Sequence, residues 1–464
     1  MACTAAGSPQ TSIDRARAHV ELDALVPALL DSADVPGLAL AIASHGEIVW
    51  ARGFGSRLRG ESGAVDTNTV FEAASLSKPV FAYAVMKLVE EGRFDLDKPL
   101  ASYQPGAELQ ADPRFRRITA RMVLSHTTGL PNEVGPGELL RLQFDPGTRF
   151  GYSGEGFLYL QQVVEALVQM PLDTFVRGVV FEPLHMTRSA YRWETRFSEN
   201  FAIGHDDYGT PRTPSRPTTA KASASLHTTV ADYARFLLAA LDAARNNRSA
   251  RDMLAPQIVV TPEISWGLGW ALQKTDSGQV FWHWGDNSNT GYTAYVQGDP
   301  ARATGFVFLT NSTSGLSVSR ALIRQLTGMH EPAIAFMNHE QFDAPTRRVR
   351  LGLEERIRAA GIAAGLAYLD SVRPSFDPDG IPENLLNRVG YRLLGLGMGA
   401  AAVAMFRKNV EAYPQSANVY DSLGEALAAV GDTTSAIANY RRSLSLDPRN
   451  SNAASMLARL GAKP

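Results

Sequence analysis

The sequence predicts an α+β fold: an antiparallel sheet flanked by helices with a helical lobe, followed by an all-α tail of helical repeats. Two observations predict the first part. Strand-like segments occur at both ends of the first 330 residues, and the sequence between them is mostly helical or loop. The tail is predicted by a 34-residue repeat near the C terminus.

The N-terminal elements are a helix and a hairpin. A helix is predicted near residues 13–30, and apolar runs at 35–43 and 47–54 surround a turn that contains Gly46. Matching strands are predicted late in the domain, at residues 266–272, 280–284, 293–296 and 305–310. Strands from both ends then form one sheet, and a cleft lies between this sheet and the helices. A Pro- and Thr-rich segment at 209–219 predicts a surface loop.

The domain boundaries follow from changes in composition. Residues 1–12 are predicted to be a flexible tether, 13–330 the α+β domain, 331–380 a helical linker and 381–464 the repeat domain. The repeated pairs, each 34 positions apart, are Gly390 and Gly424, Gly397 and Gly431, Ala402 and Ala436, Phe406 and Tyr440, and Pro414 and Pro448.

This period resembles the tetratricopeptide repeat, whose units bury their apolar faces only by stacking. With fewer than three units, the tail is expected to rest on the first domain or on another copy of itself. A peptide-binding role is the alternative.

Ser75 and Lys78 are the strongest catalytic candidates. At positions i and i+3 their side chains share one face of a helix, so the amine can lie next to the hydroxyl. An apolar segment at 79–89, ended by Glu91 and Gly92, predicts that this helix is buried. A serine at the N-terminal end of a helix also lies beside free backbone N–H groups that can stabilise an oxyanion. Taken alone, the pattern fits an ordinary helix start as well.

Further segments make the pattern more specific. Tyr152 follows a Pro-Gly turn, His283 and Gly285 end a strand-like run, and a segment around His126 lies between Ser75 and Tyr152. In order and spacing, residues 15–330 resemble the serine β-lactamase and penicillin-binding-protein superfamily, in particular the branch of class C enzymes, D-stereospecific peptidases and esterases.

The resemblance implies roles for these residues. Ser75 would be the nucleophile, and Lys78 and Tyr152 would be the pair that handles its proton, with either one as the base. His283, Trp284 and Gly285 stand where the family has Lys-Thr-Gly or His-x-Gly. The backbone N–H groups of Ser75 and Asp286 would then form the oxyanion hole.

The chain departs from the family pattern at one point. The family has Tyr-x-Asn, whereas here Tyr152 is followed by Ser153 and Gly154. The missing asparagine would contact an amide on the acyl side of the substrate, and Ser153 or Glu155 are candidates to replace it. His-x-Gly also lacks the fixed positive charge of Lys-Thr-Gly. An ester or a D-amino-acid peptide therefore fits these changes better than a penicillin.

Most other histidines and tryptophans have structural interpretations. His205 is predicted to be solvated on a loop, His126 to make a structural hydrogen bond, and the rest to be surface or structural residues. Trp284 is a candidate substrate-binding residue because of its segment, although strand alternation turns Trp282 and Trp284 away from the face of His283. Trp266 and Trp270 are candidate pocket walls.

Composition and missing motifs exclude several classes of function. The net charge is −2 with 20% charged residues, so no basic field attracts nucleic acid or a membrane. The sequence has no Gly-x-Ser-x-Gly, His-Glu-x-x-His, Cys-x-x-Cys or P-loop motif, and the prediction is an enzyme without metal or cofactor. Its expected partner is a small ester, peptide or β-lactam-like molecule.

Cys3, the only cysteine, resembles the lipid-bearing residue of a processed bacterial lipoprotein, because small polar residues follow it. This predicts a periplasmic or other extracytoplasmic location with a lipid anchor at Cys3; the alternative is a disordered cytoplasmic N terminus.

Two functions from different classes are therefore expected. The first is a serine hydrolase that forms an acyl-enzyme on Ser75, with weak or no β-lactamase activity, or a β-lactamase. The second is a binding or scaffold protein with little turnover that acts through its helical repeats.

Overall fold

A computed structural model describes residues 15–104, 112–135, 139–275, 278–328, 332–376 and 380–463. The chain divides into two compact units, Met1–Phe342 and Asp343–Pro464. The tether predicted at 1–12, with Cys3, lies outside the described residues. None of the helices in the described ranges combines the length and the apolar character needed to cross a bilayer.

The first unit is built on an antiparallel sheet. Its described strands are β1 Gly37–Ser44, β2 Glu47–Gly55, β3 Phe71–Glu72, β4 His227–Thr228, β5 Ile258–Val259, β6 Ile264–Trp266, β7 Ala271–Thr275, β8 Gly278–Asn287, β9 Tyr292–Asp299 and β10 Thr304–Thr310. Eight of them form the larger sheet in the order β2-β1-β10-β9-β8-β7-β6-β5, and a separate two-stranded sheet pairs β3 with β4. Strands from the two ends of the unit meet in the larger sheet, where Leu38 of β1 pairs with Thr310 of β10. The α+β prediction is therefore confirmed.

The larger sheet has a hydrophobic core on each face. On β1, Ala39, Ala41 and Ala43 belong to the core shared with the helical lobe. The alternating Leu38, Leu40 and Ile42 belong to the core on the opposite face. This period of two is the one expected of a strand buried on both sides. The described helices of the first unit are α1 Arg15–Ala33, α2 Ser77–Glu90, α3 Ala120–Leu124, α4 Gly154–Val168, α5 Leu172–Val176, α6 Val230–Asn246, α7 Arg248–Met253, α8 Ser319–Thr327 and α9 Pro332–Met337.

The single strand predicted at 266–272 is wrong. The chain turns between Trp266 and Ala271, and the two flanking segments pair with each other as β6 and β7. Gly269 has φ +82°, a conformation that favours glycine, and its Cα packs close to α2, where an added Cβ would lie 2.4 Å from Cβ of Ala82. The apolar character that indicated a strand belongs to a buried turn.

The second unit is entirely helical in its described part, and one hydrophobic core runs through it. Residues 343–376, which fall within the predicted linker, contribute Leu353 and Ile357 to the same core as Phe406 and Tyr440 of the repeats. The segment is helical, and it packs with the repeats. The helices are α10 Pro345–Ala360, α11 Ile362–Val372, α12 Glu383–Gly395, α13 Gly399–Ala412, α14 Ala417–Ala429, α15 Thr433–Leu446 and α16 Ser451–Arg459.

The repeated glycines mark close helix contacts. A Cβ on Gly390 of α12 would lie 2.5 Å from the ring of Phe406 in α13, and one on Gly424 of α14 would lie 2.9 Å from the ring of Tyr440 in α15. The 34-residue period therefore places a glycine against an aromatic ring in each pair of helices.

Gly390→Ala is expected to destabilise the second unit by about 1–2 kcal/mol, because overpacking against the buried Phe406 ring outweighs the better helix propensity of alanine. The control is Gly395→Ala at the end of α12, where an added Cβ meets nothing within 4 Å; its stability should equal or slightly exceed that of the wild type. Denaturant unfolding followed by far-UV circular dichroism measures both variants. All six tryptophans lie in the first unit, so their fluorescence reports on that unit alone. Equal stability of the two variants would contradict the close contact.

Candidate active site

Ser75 lies on a 3₁₀ turn, Ala74–Leu76, that leads directly into α2. Ala74 has φ +48°, a left-handed conformation that is unfavourable for a residue with a Cβ. Buried hydrogen bonds hold the turn: the hydroxyl of Tyr233 donates to the carbonyl of Leu76 at 3.0 Å, and that of Tyr191 donates to the carbonyl of Ser77 at 2.6 Å. The surrounding structure therefore stabilises a strained turn immediately before Ser75.

The Lys78 amine is buried next to Ser75. Its Nζ donates to Oγ of Ser75 at 3.0 Å and to the backbone carbonyl of Ser223 at 2.7 Å. The side chain is 2% exposed. Burial lowers its pKa from 10.5 to about 7, and Glu133 partly opposes this shift. Near neutral pH, a large fraction of the amine is therefore unprotonated and can accept a proton from the seryl hydroxyl.

Tyr152 lies beside Lys78, just before α4 begins. The amine lies 4.8 Å from the centre of the tyrosine ring, and the ring stacks on His126 at 4.3 Å. Burial raises the pKa of the Tyr152 hydroxyl, and the neighbouring Ser75 hydroxyl partly offsets the rise. Within the described ranges this hydroxyl is buried without a hydrogen bond of ordinary geometry. It is therefore a neutral group held close to the nucleophile.

His126 orients Tyr152. Its Nδ1 accepts a hydrogen bond from the backbone N–H of Ser153 at 2.9 Å, so the proton of the neutral ring is on Nε2. The pKa of His126 is well below its ordinary value because the ring is buried, and Lys78 and His283 lower it further. The structural hydrogen bond expected of this histidine is present.

His283 is buried on β8 beside the same amine. Its Nδ1 lies 2.7 Å from the carbonyl of Trp284 and must donate to it, which leaves Nε2 as a lone-pair acceptor without a partner among the described residues. Burial, followed by the charge of Lys78, lowers the pKa of His283 to about 3. The ring is therefore neutral throughout the physiological range.

One edge of β8 is open beyond His283. Strand β7 pairs with β8 from Gly278 to Trp282, whereas the pairing with β9 continues to Asn287. Beyond Trp282, no described strand covers the β7 side of β8. An extended substrate can lie along such an edge.

At Gly285, this edge of β8 packs against the turn that carries Ser75. A Cβ at this position would lie 2.3 Å from the carbonyl oxygen of Ala73 and 3.3 Å from Cβ of Ala74. Only glycine allows the strand to approach the turn so closely. The backbones of Asp286 and Ser75, the predicted oxyanion-hole residues, belong to these two touching segments.

Glu72 connects the same two segments. It is buried, its Oε2 accepts hydrogen bonds from Asn287 and Thr290 at 2.8 Å each, and its Oε1 accepts one from the backbone of Ser215. Burial raises the pKa of Glu72, and these hydrogen bonds oppose the rise. The carboxyl group thereby fixes the β8–β9 turn to the strand just before Ser75.

Trp266 and Trp270 lie behind the site and do not form its wall. Trp266 and Trp270 are almost completely buried in the two cores, so the prediction of pocket walls is wrong. Trp282 and Trp284 pack on Phe336 of α9, at 5.9 and 6.0 Å between ring centres. Trp284 also lies 5.2 Å from the Tyr152 ring. The Trp284 ring therefore supports the Tyr152 ring. It also packs against the core on the sheet face that is opposite the helical lobe.

Ser153 does not take the place of the family's asparagine. Its hydroxyl accepts from the N–H of Gly156 at 2.9 Å and donates to the carbonyl of Pro131 at 2.9 Å, so it caps α4. Glu155 follows in the first turn of α4, where burial raises its pKa and the backbone of Val134 and the charge of Lys221 lower it. Neither the Ser153 nor the Glu155 side chain is therefore available to replace the side-chain amide of the family's asparagine.

Sequence reasoning missed the residues that hold Lys78 in place but lie far from it along the chain. Ser223 supplies its backbone carbonyl, and Gln161 of α4 positions that segment by accepting from the N–H of Ala222 at 2.8 Å and donating to the carbonyl of Ala220 at 2.9 Å. A glutamine in an otherwise apolar helix face is the one signal that the sequence offers for this contact.

Two further histidines are buried structural groups. His205 is fully buried, and its Nε2 accepts from the backbone N–H of Arg59 at 3.2 Å; the prediction of a solvated side chain is therefore wrong. Its polar loop sequence gave no sign that the loop folds back onto the protein. His227 is also buried, and burial lowers its pKa to about 4. Within the part of the chain that the structure describes, no group of three or more His, Cys, Asp or Glu side chains could hold a metal ion.

A sheet and helical lobe with Ser75, Lys78, Tyr152 and His283 gathered between them define the class of β-lactamase and penicillin-binding-protein serine hydrolases. The sequence model of the family described as Beta-lactamase matches residues 22–327, and the chain belongs to that family.

Individual relatives agree with this assignment. Penicillin-binding protein 4 of Amycolatopsis lactamdurans is 27% identical over 344 residues, which cover 67% of this chain and 90% of that protein. The D-alanine carboxypeptidase AmpC of Burkholderia cenocepacia superposes with a TM-score of 0.59 at 19% identity, over 68% of this chain and all of that one. A class C β-lactamase superposes with a TM-score of 0.61 at 19% identity, over 70% of this chain and 99% of that one. The two structural similarities show a shared fold.

The neutral state of His283 predicts a pH-dependent loss of stability. Its pKa is about 3 in the folded protein against 6.5 for the ordinary side chain, so between these values the unfolded chain binds a proton that the folded chain does not. The free energy of unfolding of the wild type minus that of His283→Gln should therefore fall by up to about 1.4 kcal/mol per pH unit as the pH is lowered from 6 to 4. Urea unfolding at several pH values measures this difference. A difference that stays constant with pH would show that His283 is not held neutral by burial.

Proposed function

We propose that the protein is a serine hydrolase that forms an acyl-enzyme on Ser75 and cleaves an ester or a D-amino-acid peptide or amide bond. The observation that carries the proposal is the buried Lys78 amine, 3.0 Å from the seryl oxygen and with a pKa of about 7. A serine hydroxyl needs such a proton acceptor to attack at neutral pH.

The pKa values favour Lys78 over Tyr152 as the base. Burial raises the pKa of the tyrosine, so its phenolate is scarce at neutral pH, whereas the lysine is substantially neutral there. The Tyr152 hydroxyl can instead pass a proton between the amine and the leaving group, because it can both donate and accept.

The reaction follows from these positions. Oγ of Ser75 attacks the substrate carbonyl carbon while its proton moves to Lys78, and the oxyanion is stabilised by backbone N–H groups. The bond to the alcohol or amine breaks, and the leaving group takes up the proton from the Lys78–Tyr152 pair. Water then attacks the acyl carbon and transfers a proton to the same pair. The bond between the acyl carbon and Oγ of Ser75 breaks, the pair returns the proton to Oγ, and the acid leaves.

The charges along β8 favour a substrate whose ester or amide has no carboxylate that would lie next to this strand. His283 is neutral, with its pKa lowered to about 3. Asp286 follows Gly285, and its carboxylate faces His339 at 3.6 Å. Partial burial raises the pKa of Asp286, and His339 opposes the rise. A carboxylate at this strand edge would meet a negative side chain instead of a fixed cation.

The acyl-enzyme is tested with the full-length protein and its Ser75→Ala variant. The wild type should hydrolyse p-nitrophenyl butyrate or a D-alanyl p-nitroanilide, and mass spectrometry after rapid acid quenching should detect an acyl adduct on the peptide that contains Ser75. In Ser75→Ala the adduct should disappear and the rate should fall by at least about 10³-fold. A fluorescent penicillin tests the β-lactam alternative in the same samples. Equal turnover in the two proteins would contradict the assignment of Ser75.

Glu133→Gln tests the role of Lys78 as the base. The negative charge of Glu133 raises the pKa of Lys78, so its removal should lower that pKa. The rising limb of kcat/KM for p-nitrophenyl butyrate, which requires the neutral amine, should then move to lower pH. Glu47→Gln, an exposed change on β2, is the matched control and should leave the limb in place. A limb that shifts to higher pH in Glu133→Gln would show that the titrating group is not Lys78.

A further inference from the structure

The Lys78 amine has two hydrogen-bond acceptors, and one of them lies far away in the chain. Its Nζ donates to Oγ of Ser75, three residues earlier, at 3.0 Å. It also donates to the carbonyl of Ser223 at 2.7 Å, a contact between residues 145 positions apart. A lysine side chain is a flexible four-carbon stem with no fixed direction of its own. The position of the Ser223 carbonyl therefore helps to determine where the amine lies relative to the nucleophile.

Ser223 lies in a turn at residues 220–225 that belongs to no helix or strand. Within this turn, the backbone N–H of Ser225 donates to the carbonyl of Lys221 at 3.1 Å. The Ser225 hydroxyl fastens the C-terminal end of the turn, because it donates to the carbonyl of Tyr191 at 2.7 Å. The N-terminal end needs a separate attachment.

Gln161 of α4 provides that attachment at two points. Its Oε1 accepts from the N–H of Ala222 at 2.8 Å, and its Nε2 donates to the carbonyl of Ala220 at 2.9 Å. All three residues are buried, with Gln161 itself 7% exposed. Without the carboxamide, a backbone donor and a backbone acceptor would lose their partner in the interior, which is costly. Gln161 therefore fixes the backbone immediately before Ser223.

The helix that carries Gln161 also positions Tyr152. Helix α4 begins at Gly154, two residues after the tyrosine, and Gln161 lies in its third turn. One rigid element thus holds both members of the proton-handling pair: the tyrosine at its N terminus, and the lysine through Gln161 and the turn.

We propose that Gln161 is a positioning residue that holds the Lys78 amine next to Ser75 through the carbonyl of Ser223. The carboxamide acts through the turn, and its own hydrogen bonds are made to backbone groups of that turn. This inference rests on the proposed function, because it assigns a residue that positions the base of that reaction.

A double-mutant cycle with Lys78 tests the proposal in the full-length protein. Gln161→Met keeps the length of the side chain and removes both hydrogen bonds to the turn. It should lower kcat for p-nitrophenyl butyrate about 10²-fold and leave KM nearly unchanged, because it displaces the base and not the substrate. In a Lys78→Met background, the same substitution should change kcat less than about twofold. A residue that only stabilises the fold would have the same effect in both backgrounds.

A titration of the amine needs no turnover, so it separates this inference from the proposed function. NMR of protein labelled with ¹³C at lysine Cε follows the protonation of Lys78, whose pKa of about 7 distinguishes it from an ordinary lysine. An ammonium group gains more from a carbonyl acceptor than a neutral amine does. Gln161→Met should therefore lower the titration midpoint of Lys78 by about 0.5–1 pH unit. The other titratable groups that face this amine, which the substitution leaves in place, are Glu133, His126, Tyr152 and His283.

The matched control is Gln162→Met. Gln162 is the next residue of α4 and is exposed, so kcat and the titration midpoint of this variant should equal those of the wild type. Melting temperatures identify any variant that fails to fold. If Gln161→Met does not fold, Gln161→Asn replaces it in both experiments, since its carboxamide is one methylene too short to reach both backbone groups.

The two proposals fail in different ways. If the wild type shows no turnover, the proposed function fails and the titration alone decides the role of Gln161. An equal loss of kcat in the two Lys78 backgrounds, or a midpoint that does not fall in the Gln161 variant, would overturn the assignment of Gln161.

Discussion

The buried amine of Lys78 is the constraint on which the site depends. An ammonium group without water or a carboxylate partner is costly inside a protein, so burial favours the neutral form. The amine keeps two acceptors, Oγ of Ser75 and the carbonyl of Ser223. Rings of Tyr152 and Phe157 lie 4.8 and 5.7 Å away. One physical effect thus creates a base at neutral pH and also holds the nearby histidines uncharged.

The geometry around this amine is set by backbone contacts between segments far apart in the chain. Gly285 allows β8 to touch the turn before Ser75, and Glu72 ties the end of the same strand to β3. The strained Ala74 persists because the residues that follow it are fixed: the carbonyls of Leu76 and Ser77 accept hydrogen bonds from two buried tyrosines. Oxyanion stabilisation depends on such prior placement of donors, because they then need no reorganisation during the reaction.

The sequence was sufficient to predict the parts of the site whose residues are close together in the chain. Ser75 and Lys78 are three residues apart, and the order of strands and helices predicted one sheet made from both ends of the domain. The contacts of Gln161 with Ala220 and Ala222 could not be predicted, since they depend on how a helix and a loop meet in space. The strand predicted at 266–272 failed because a run of apolar residues with glycines fits a buried turn equally well.

Residues 131–134 form a loop that is attached to the protein independently of the reacting groups. The reacting groups are fixed by the sheet and by the core helices, whereas the loop touches that framework mainly through Ser153 and Glu155. The two residues between these anchor points, Asn132 and Glu133, are exposed, so their side chains can change without disturbing the packing around the nucleophile. Because the charge of Glu133 raises the pKa of Lys78, a single surface substitution at this position can change the pH range in which the amine is neutral without rebuilding the framework.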